Sequence, residues 1–353
     1  MKRRLLAALL CLLAARTARA AACSPTIFAN AATFPAPTPS QSVVADFNGD
    51  NVPDVATAGG NSGTIAVLLN DGNGNLGPPI VTTIPESVYQ IAVADLRGNG
   101  TNDIVAAVYD GIEVLLGNGD GTFADPVLYP SNQYNGSTLL IGKFDANGSP
   151  DVILADAYGY SVTFFPGQGN GTFGAAVPLA ITNVTEMAAG DFNGDSKLDL
   201  VVSNINEGTV SVYLGHGDGT FGPPTAFVAG ADPRALAAGD LDGDGHPDLA
   251  VTTDGYVSVL LGNGDGTFQA ALQYPASLSP ISIALGDFNQ DGQTDVAVSD
   301  NQMSAVFVLL GAGGGALSAP GAYMLANRTY GLDVGDMDGD GALDIVAPDP
   351  TDS

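Results

Sequence analysis

Apolar residues in this chain come in short runs rich in Val, Ile, Ala and Leu, separated by clusters of Gly, Asn, Asp and Pro. Runs of that length bounded by turn residues read as strands. In one stretch Met187 to Ala189, Leu200 to Val202, Val210 to Leu214 and Thr225 to Val228 follow one another, predicting four strands in about 48 residues. The same layout recurs along the chain. No stretch sustains a helical period, and 47 glycines with 22 prolines would interrupt one. The expected fold is therefore all-β, with each unit of four strands forming one propeller blade.

Between the first and second run of each unit lies a nine-residue acidic loop, repeated seven times at intervals of 47 to 49 residues. The loops are DFNGDNVPD (from Asp46), DLRGNGTND (from Asp95), KFDANGSPD (from Lys143), DFNGDSKLD (from Asp191), DLDGDGHPD (from Asp240), DFNQDGQTD (from Asp287) and DMDGDGALD (from Asp336). Position nine is always Asp. Calcium takes hard oxygen ligands, and oxygens at positions one, three, five and nine of a tight loop can converge on one ion, helped by a carbonyl near position seven. This makes Ca2+ the expected cofactor. The candidate ligands are Asp46, Asn48, Asp50 and Asp54; Asp191, Asn193, Asp195 and Asp199; Asp240, Asp242, Asp244 and Asp248; Asp287, Asn289, Asp291 and Asp295; and Asp336, Asp338, Asp340 and Asp344. The first half of the loop matches an EF-hand, but no Glu follows at position twelve and the flanks are strand-like, which excludes helix–loop–helix. Two loops depart from the pattern. Arg97 takes position three of the second and Lys143 position one of the third, so these two are expected to be weak or empty, leaving about five sites.

The third run of each unit leads into a second repeated string: NDGNGNL (from Asn70), GNGDGTF (from Gly117), GQGNGTF (from Gly167), GHGDGTF (from Gly215), GNGDGTF (from Gly262) and GAGGGAL (from Gly311). Its Gly and Asn residues supply the positive φ of a tight hairpin, and the closing Phe or Leu anchors the outer strand. Asp71, Asp120, Asp218 and Asp265 are read as turn residues because Asn170 and Gly314 stand in the same place. Seven loops against six such strings leave the last unit incomplete. The segment Thr26 to Pro35 resembles the outer-strand segment Gly121 to Pro130, so the expected ring has seven blades. The last is closed by this segment with C-terminal strands around Tyr330 to Val334 and Ile345 to Ala347, and lacks one strand.

The chain opens on a basic start (Lys2, Arg3, Arg4), an apolar stretch from Leu5 to Ala15 and the small-residue pattern Ala18-Arg19-Ala20. Residues 1–20 read as a signal peptide for secretion to the periplasm, cell surface or medium. Residues 21–42 then contribute the outer strand of the closing blade, and 43–353 hold the repeats. The whole sequence carries a net charge of −28. Five of its ten basic residues lie in the leader, so the mature chain sets five bases against 38 acids, a net of −33. That excludes nucleic acid and anionic membrane as partners. Cys11 lies in the leader, and Cys23 is left as a free thiol or a lipid attachment point, with no internal disulfide.

The GDFNGD, GDLDGDG and GDMDGDG strings with the GNGDGTF turns resemble the FG-GAP repeat of integrin α-chain propellers, and more closely its secreted bacterial relatives with VCBS-like repeats. The resemblance covers roughly Val43 to Ala347. It implies a seven-bladed propeller with calcium loops between first and second strands, and adhesion or ligand binding more often than catalysis. The expected function is a monomeric, non-catalytic module binding an extracellular protein or glycan. A secreted polysaccharide lyase or hydrolase on the same scaffold is the alternative. His216 and His246 sit in repeated turn and loop strings, and no nucleophile signature is present. Tyr109, Tyr158, Tyr160 and Tyr256 fall between second and third strands, where they could stack on sugars, anchor a protein partner or cover blade edges.

Overall fold

The computed structural model describes residues 9–13, 28, 32–37, 39–131, 136–300 and 302–349. Its strands form seven four-stranded antiparallel sheets. Six of these are each built from one uninterrupted stretch of chain, in meander order. In the specimen unit the strands are Met187–Gly190, Asp199–Asn204, Thr209–Tyr213 and Thr225–Val228, within a residue or two of the apolar runs that predicted them. The innermost strands pack against one another in chain order, and the last, Asp333–Gly335, touches the first, Gln41–Ala45, so the ring is closed.

The remaining sheet is composite, in the order Ala32–Pro35, Leu9–Leu13, Asp344–Asp349, Asp333–Gly335. The expected seven-bladed ring, its last blade closed by both chain ends, is therefore corrected to six repeat blades, the remaining sheet being the one that draws its strands from both ends of the chain. Only six turn strings exist, so only six third-to-fourth strand hairpins can form in place. The expected missing strand is corrected too. Leu9–Leu13, inside the segment read as a leader, pairs with Asp349 to Ile345 on one side and with Pro35 to Ala32 on the other. An unbroken leucine-rich run suits an h-region and a strand equally, which is why sequence alone did not separate them. Cys23 lies outside the described residues.

Second strands such as Asp199–Asn204 and Asp248–Thr253 are buried along their whole length, because each sheet is covered on both faces by its neighbours. The core is accordingly divided into clusters that lie between successive sheets. One joins Ala56 and Ile65 to Ile104 and Leu115, and another joins Val201 and Val212 to Leu249 and Leu260. At the seam between the composite sheet and the first blade the cluster is smaller, with Val55, Met337 and Val346 its buried members among the described residues.

A carboxylate reinforces that seam. Asp333 accepts hydrogen bonds from the backbone N–H of Val44 (2.6 Å) and of Val334 (2.8 Å), and burial pushes its pKa up to about 6. A carboxyl whose folded pKa exceeds its unfolded value gives stability that is full below about pH 4 and lost as pH rises through about 6. Asp333→Asn should thus gain on the wild type by up to about 3 kcal/mol between pH 4 and pH 7. Urea unfolding of both proteins at the two pH values checks this. A constant difference would show that the carboxyl titrates as an exposed one.

Candidate metal-binding loops

All seven acidic loops follow the C-terminal ends of the innermost strands, so they share one end of the ring. Position nine is fully buried in every loop. Its carboxylate faces two backbone donors: Asp248 accepts from Leu241 N–H (2.7 Å) and Gly262 N–H (2.7 Å), and Asp199 from Phe192 N–H (3.0 Å) and Gly215 N–H (2.8 Å). Asp54, Asp103, Asp151 and Asp295 repeat the arrangement, and Asp344 accepts from Met337 N–H (2.9 Å). The residue thus ties the loop to the turn string that follows. The first glycine of that string is required by the same closeness, since a Cβ on Gly262 would lie 2.3 Å from the Pro247 carbonyl oxygen. Burial raises the pKa of Asp54, Asp151, Asp199 and Asp248, and brings that of Asp295 to about 6.

Positions one, three and five lie at the surface and shape the loop. Asp240 accepts from Gly243 N–H (2.7 Å) and Gly245 N–H (3.0 Å), and Asp46, Asp191, Asp287 and Asp336 each accept from the backbone of positions five or six in the same way. In two loops three carboxylates converge. Ligand oxygens of Asp240, Asp242 and Asp244, and of Asp336, Asp338 and Asp340, lie within 4.8 Å of one another. In the loops from Asp46, Asp191 and Asp287, Asn48, Asn193 and Asn289 take position three, and each amide oxygen accepts from the N–H at position five. These hard oxygen donors fit a calcium ion by type and by spacing.

The two departing loops fill the same region with nitrogen donors. Arg97 turns inward, with Nη2 2.6 Å from Asp103 Oδ1 and 2.7 Å from the Gly117 carbonyl. In the third loop the Asn147 amide donates to the Gly167 carbonyl (2.8 Å), while Lys143 is exposed. Sequence reading placed Arg97 in the loop with Asp103 but could not foresee the contact to Gly117, which comes from the turn string after the next hairpin.

Five of the seven loops are also stitched to the neighbouring blade. The final glycine N–H of a turn string donates to the position-two carbonyl of the preceding loop: Gly121 to Phe47 (3.0 Å), Gly171 to Leu96 (3.3 Å), Gly219 to Phe144 (3.0 Å), Gly266 to Phe192 (2.8 Å) and Gly74 to Met337 (3.0 Å). The turn string, predicted as local hairpin chemistry, is therefore an inter-blade contact as well.

The opposite end of the ring carries the tyrosines. Tyr158 and Tyr160 are 69% and 72% exposed, and their rings stack at 6.1 Å and 15°. Asp156 holds their turn, accepting from the N–H groups of both residues (2.8 and 3.1 Å) and from the Ser161 hydroxyl. Tyr109 and Tyr256 are exposed at the corresponding places of other blades. His216 pairs with Thr220 inside its turn (3.0 Å).

Several solved structures share the fold. A lectin from Agrocybe aegerita that recognises non-reducing terminal N-acetylglucosamine superposes with a TM-score of 0.64 at 20% identity, covering 98% of this chain and 96% of the lectin. A functionally unknown protein from Desulfotomaculum acetoxidans gives 0.61 at 13% identity over 91% and 93%. One from Lactobacillus plantarum gives 0.60 at 12% identity over 92% and 98%. No curated protein matches the chain. The family model for the FG-GAP-like repeat matches six times, at residues 46–106, 95–154, 143–202, 191–251, 240–298 and 287–347. Each match runs from one acidic loop to the strand after the next, so the repeat count is six and the expected seven is overturned by this finding as well as by the composite sheet. With matches running almost end to end over six β-sheet blades, the chain belongs to the FG-GAP-like repeat family of β-propellers.

Proposed function

We propose that the chain is an exported, calcium-stabilised binding module, without catalytic activity, for an extracellular protein or glycan. The observation that carries this reading is the division of the ring into two ends. Clustered carboxylates occupy one, and exposed, turn-fixed aromatic side chains the other. Rigid exposed aromatics suit recognition, since they offer contact area at low entropic cost. The lectin of the same fold adds glycans to the ligand classes worth testing.

Under this reading the loops from Asp46, Asp191, Asp240, Asp287 and Asp336 would each hold one calcium through positions one, three and five, with position nine beneath. Calcium would supply positive charge to loops whose acids otherwise repel one another. The chain's own share is to bring the oxygens together and to tie the loop to the turn of its own blade and to the neighbouring blade. Export would proceed through the N-terminal leader, whose removal takes Leu9–Leu13 out of the composite sheet.

A screen of the calcium-loaded protein against glycans and matrix proteins tests the proposal. Retained ligands should bind at least about 30-fold more weakly after replacement of both Tyr158 and Tyr160 by Ala, as expected for paired aromatic anchors. Binding unchanged in that variant would remove the tyrosines from the site. Calcium-dependent turnover of a polysaccharide would replace the binding reading with an enzymatic one.

A further inference from the structure

In the composite sheet Leu9–Leu13 lies between two other strands, paired with Asp344–Asp349 on one edge and with Ala32–Pro35 on the other. Removal of the leader would take this strand away and leave both of those edges unpaired, facing each other across two strand spacings, about 10 Å.

The neighbouring residues of the chain are poorly placed to refill the gap. Both pairings are antiparallel, so Ala32–Pro35 runs the same way as Asp344–Asp349 and would have to turn end to end to replace the strand between them. Phe28, just before it, is held elsewhere. It is 3% exposed, and its ring packs 5.8 Å from Phe288 and 5.2 Å from Tyr323 on the sixth blade. Phe123, Phe221 and Phe268, which precede the outer strands of three repeat blades, pack in the same way on Phe47, Phe144 and Phe192 of the preceding blade's loop. Phe28 therefore anchors Ala32–Pro35 as an outermost strand through contacts to the sixth blade.

The walls of the gap specify what fits it. Two facing rows of backbone N–H and C=O groups call for another backbone in register, which a glycan does not supply. Residues directly opposite in an antiparallel pair share a face of the sheet. Ile345 and Ala347 belong to the buried cluster against the sixth blade, and Val346 to the one against the first. An inserted strand thus meets apolar surface on both faces and must be apolar at every position, whereas one added to a half-exposed sheet would alternate. The sequence of Leu9–Leu13 meets that requirement.

Resting on the export reading, we infer that in the mature protein the place of Leu9–Leu13 is a docking slot for a protein partner. The partner inserts an extended, wholly apolar segment as long as the five-residue strand it replaces, antiparallel to Asp344–Asp349.

Intact mass and N-terminal sequencing of the exported protein test the export reading by itself, and retention of residues 1–20 would refute it. The slot is tested by calorimetric titration of the cleaved, calcium-loaded protein with a synthetic peptide of the Leu9–Leu13 sequence. Glutamates at both ends of the peptide keep attraction to an acidic chain from contributing. We expect saturable one-to-one binding, a raised melting temperature, and binding at least about 30-fold weaker when the central Cys of the peptide is replaced by Pro or Asp. The register supplies a second measurement. In a Cys23→Ser background, Ala347→Cys should form a mixed disulfide with the peptide's Cys, whereas Val346→Cys, on the opposite face, should not. A further route does not depend on how the shortened chain folds: the full chain, with a protease site inserted after Ala20, is cut once folded, and exchange of the freed segment for labelled peptide is followed. No binding by either route, equal binding of the Pro and Asp peptides, or equal cross-linking at Val346→Cys and Ala347→Cys would each overturn the inference. The first would show that the mature chain closes the gap with its own residues.

Discussion

Chelation of calcium should lower the melting temperature of this protein by about 10 °C, reversibly. Extracellular oxygen-ligand sites bind calcium at roughly 0.1–1 mM, so a site at the tighter end contributes about 1.4 kcal/mol at about 1 mM calcium. Five such sites would give about 7 kcal/mol, comparable to the whole net stability of an ordinary domain. Unfolding entropy near 2 cal/mol/K per residue makes about 0.7 kcal/mol/K for a chain of this length, which converts that sum to about 10 °C. The stitches explain why loops at the rim should matter so much. Phe47, Phe192 and Met337 offer their carbonyls to the neighbouring blade from inside calcium loops, so a loosened loop loosens an inter-blade contact. Calorimetric scans with and without chelator, repeated on Asp336→Ala, measure the total and one loop's share of it. Scans that superpose in calcium and in chelator would rule out structural calcium.

Asp248→Ala should destabilise by about 3–5 kcal/mol, and equally with and without calcium. The carboxylate is fully buried and accepts from Leu241 and Gly262, so truncation orphans two buried N–H groups at about 1–3 kcal/mol each and adds a small cavity. Asp242→Ala in the same loop touches only surface groups, and its cost should vanish in chelator. Denaturant titration of the two variants in both conditions separates tying from metal holding. A calcium-dependent cost at Asp248 would assign it mainly to the ion instead.

The loops show why sequence reads some roles and not others. Strand runs, the four-strand period and the antiparallel order were all legible, because burial between blades demands continuous apolar runs and turns demand Gly and Asn at fixed places. Position nine was legible as important, but its bonds to two backbone donors were not, since an aspartate that ligates and one that caps two N–H groups are spelled the same. Gly117, Gly215 and Gly262 looked like turn formers, whereas what fixes them is the carbonyl of the preceding loop lying where a Cβ would go. Asp333 belongs to no repeated string, and only ring closure brings it to Val44. The expected missing strand failed at Leu9–Leu13, where the same leucines satisfy a leader and a strand.

The composite sheet also sets an order of events for the chain. Each repeat blade pairs strands that are neighbours in sequence, so it can form as soon as its own residues exist, whereas the seam joins Val44 to Asp333 across 289 residues. Contacts of such separation come late in folding, because loop-closure entropy is lost before they contribute. During synthesis Ala32–Pro35 can pair with Leu9–Leu13 at once, but the other edge of Leu9–Leu13 must wait until Asp344–Asp349 has been made. The seam that closes last also has the smaller buried cluster beside it, which makes it the place where the ring should first unzip under heat or force.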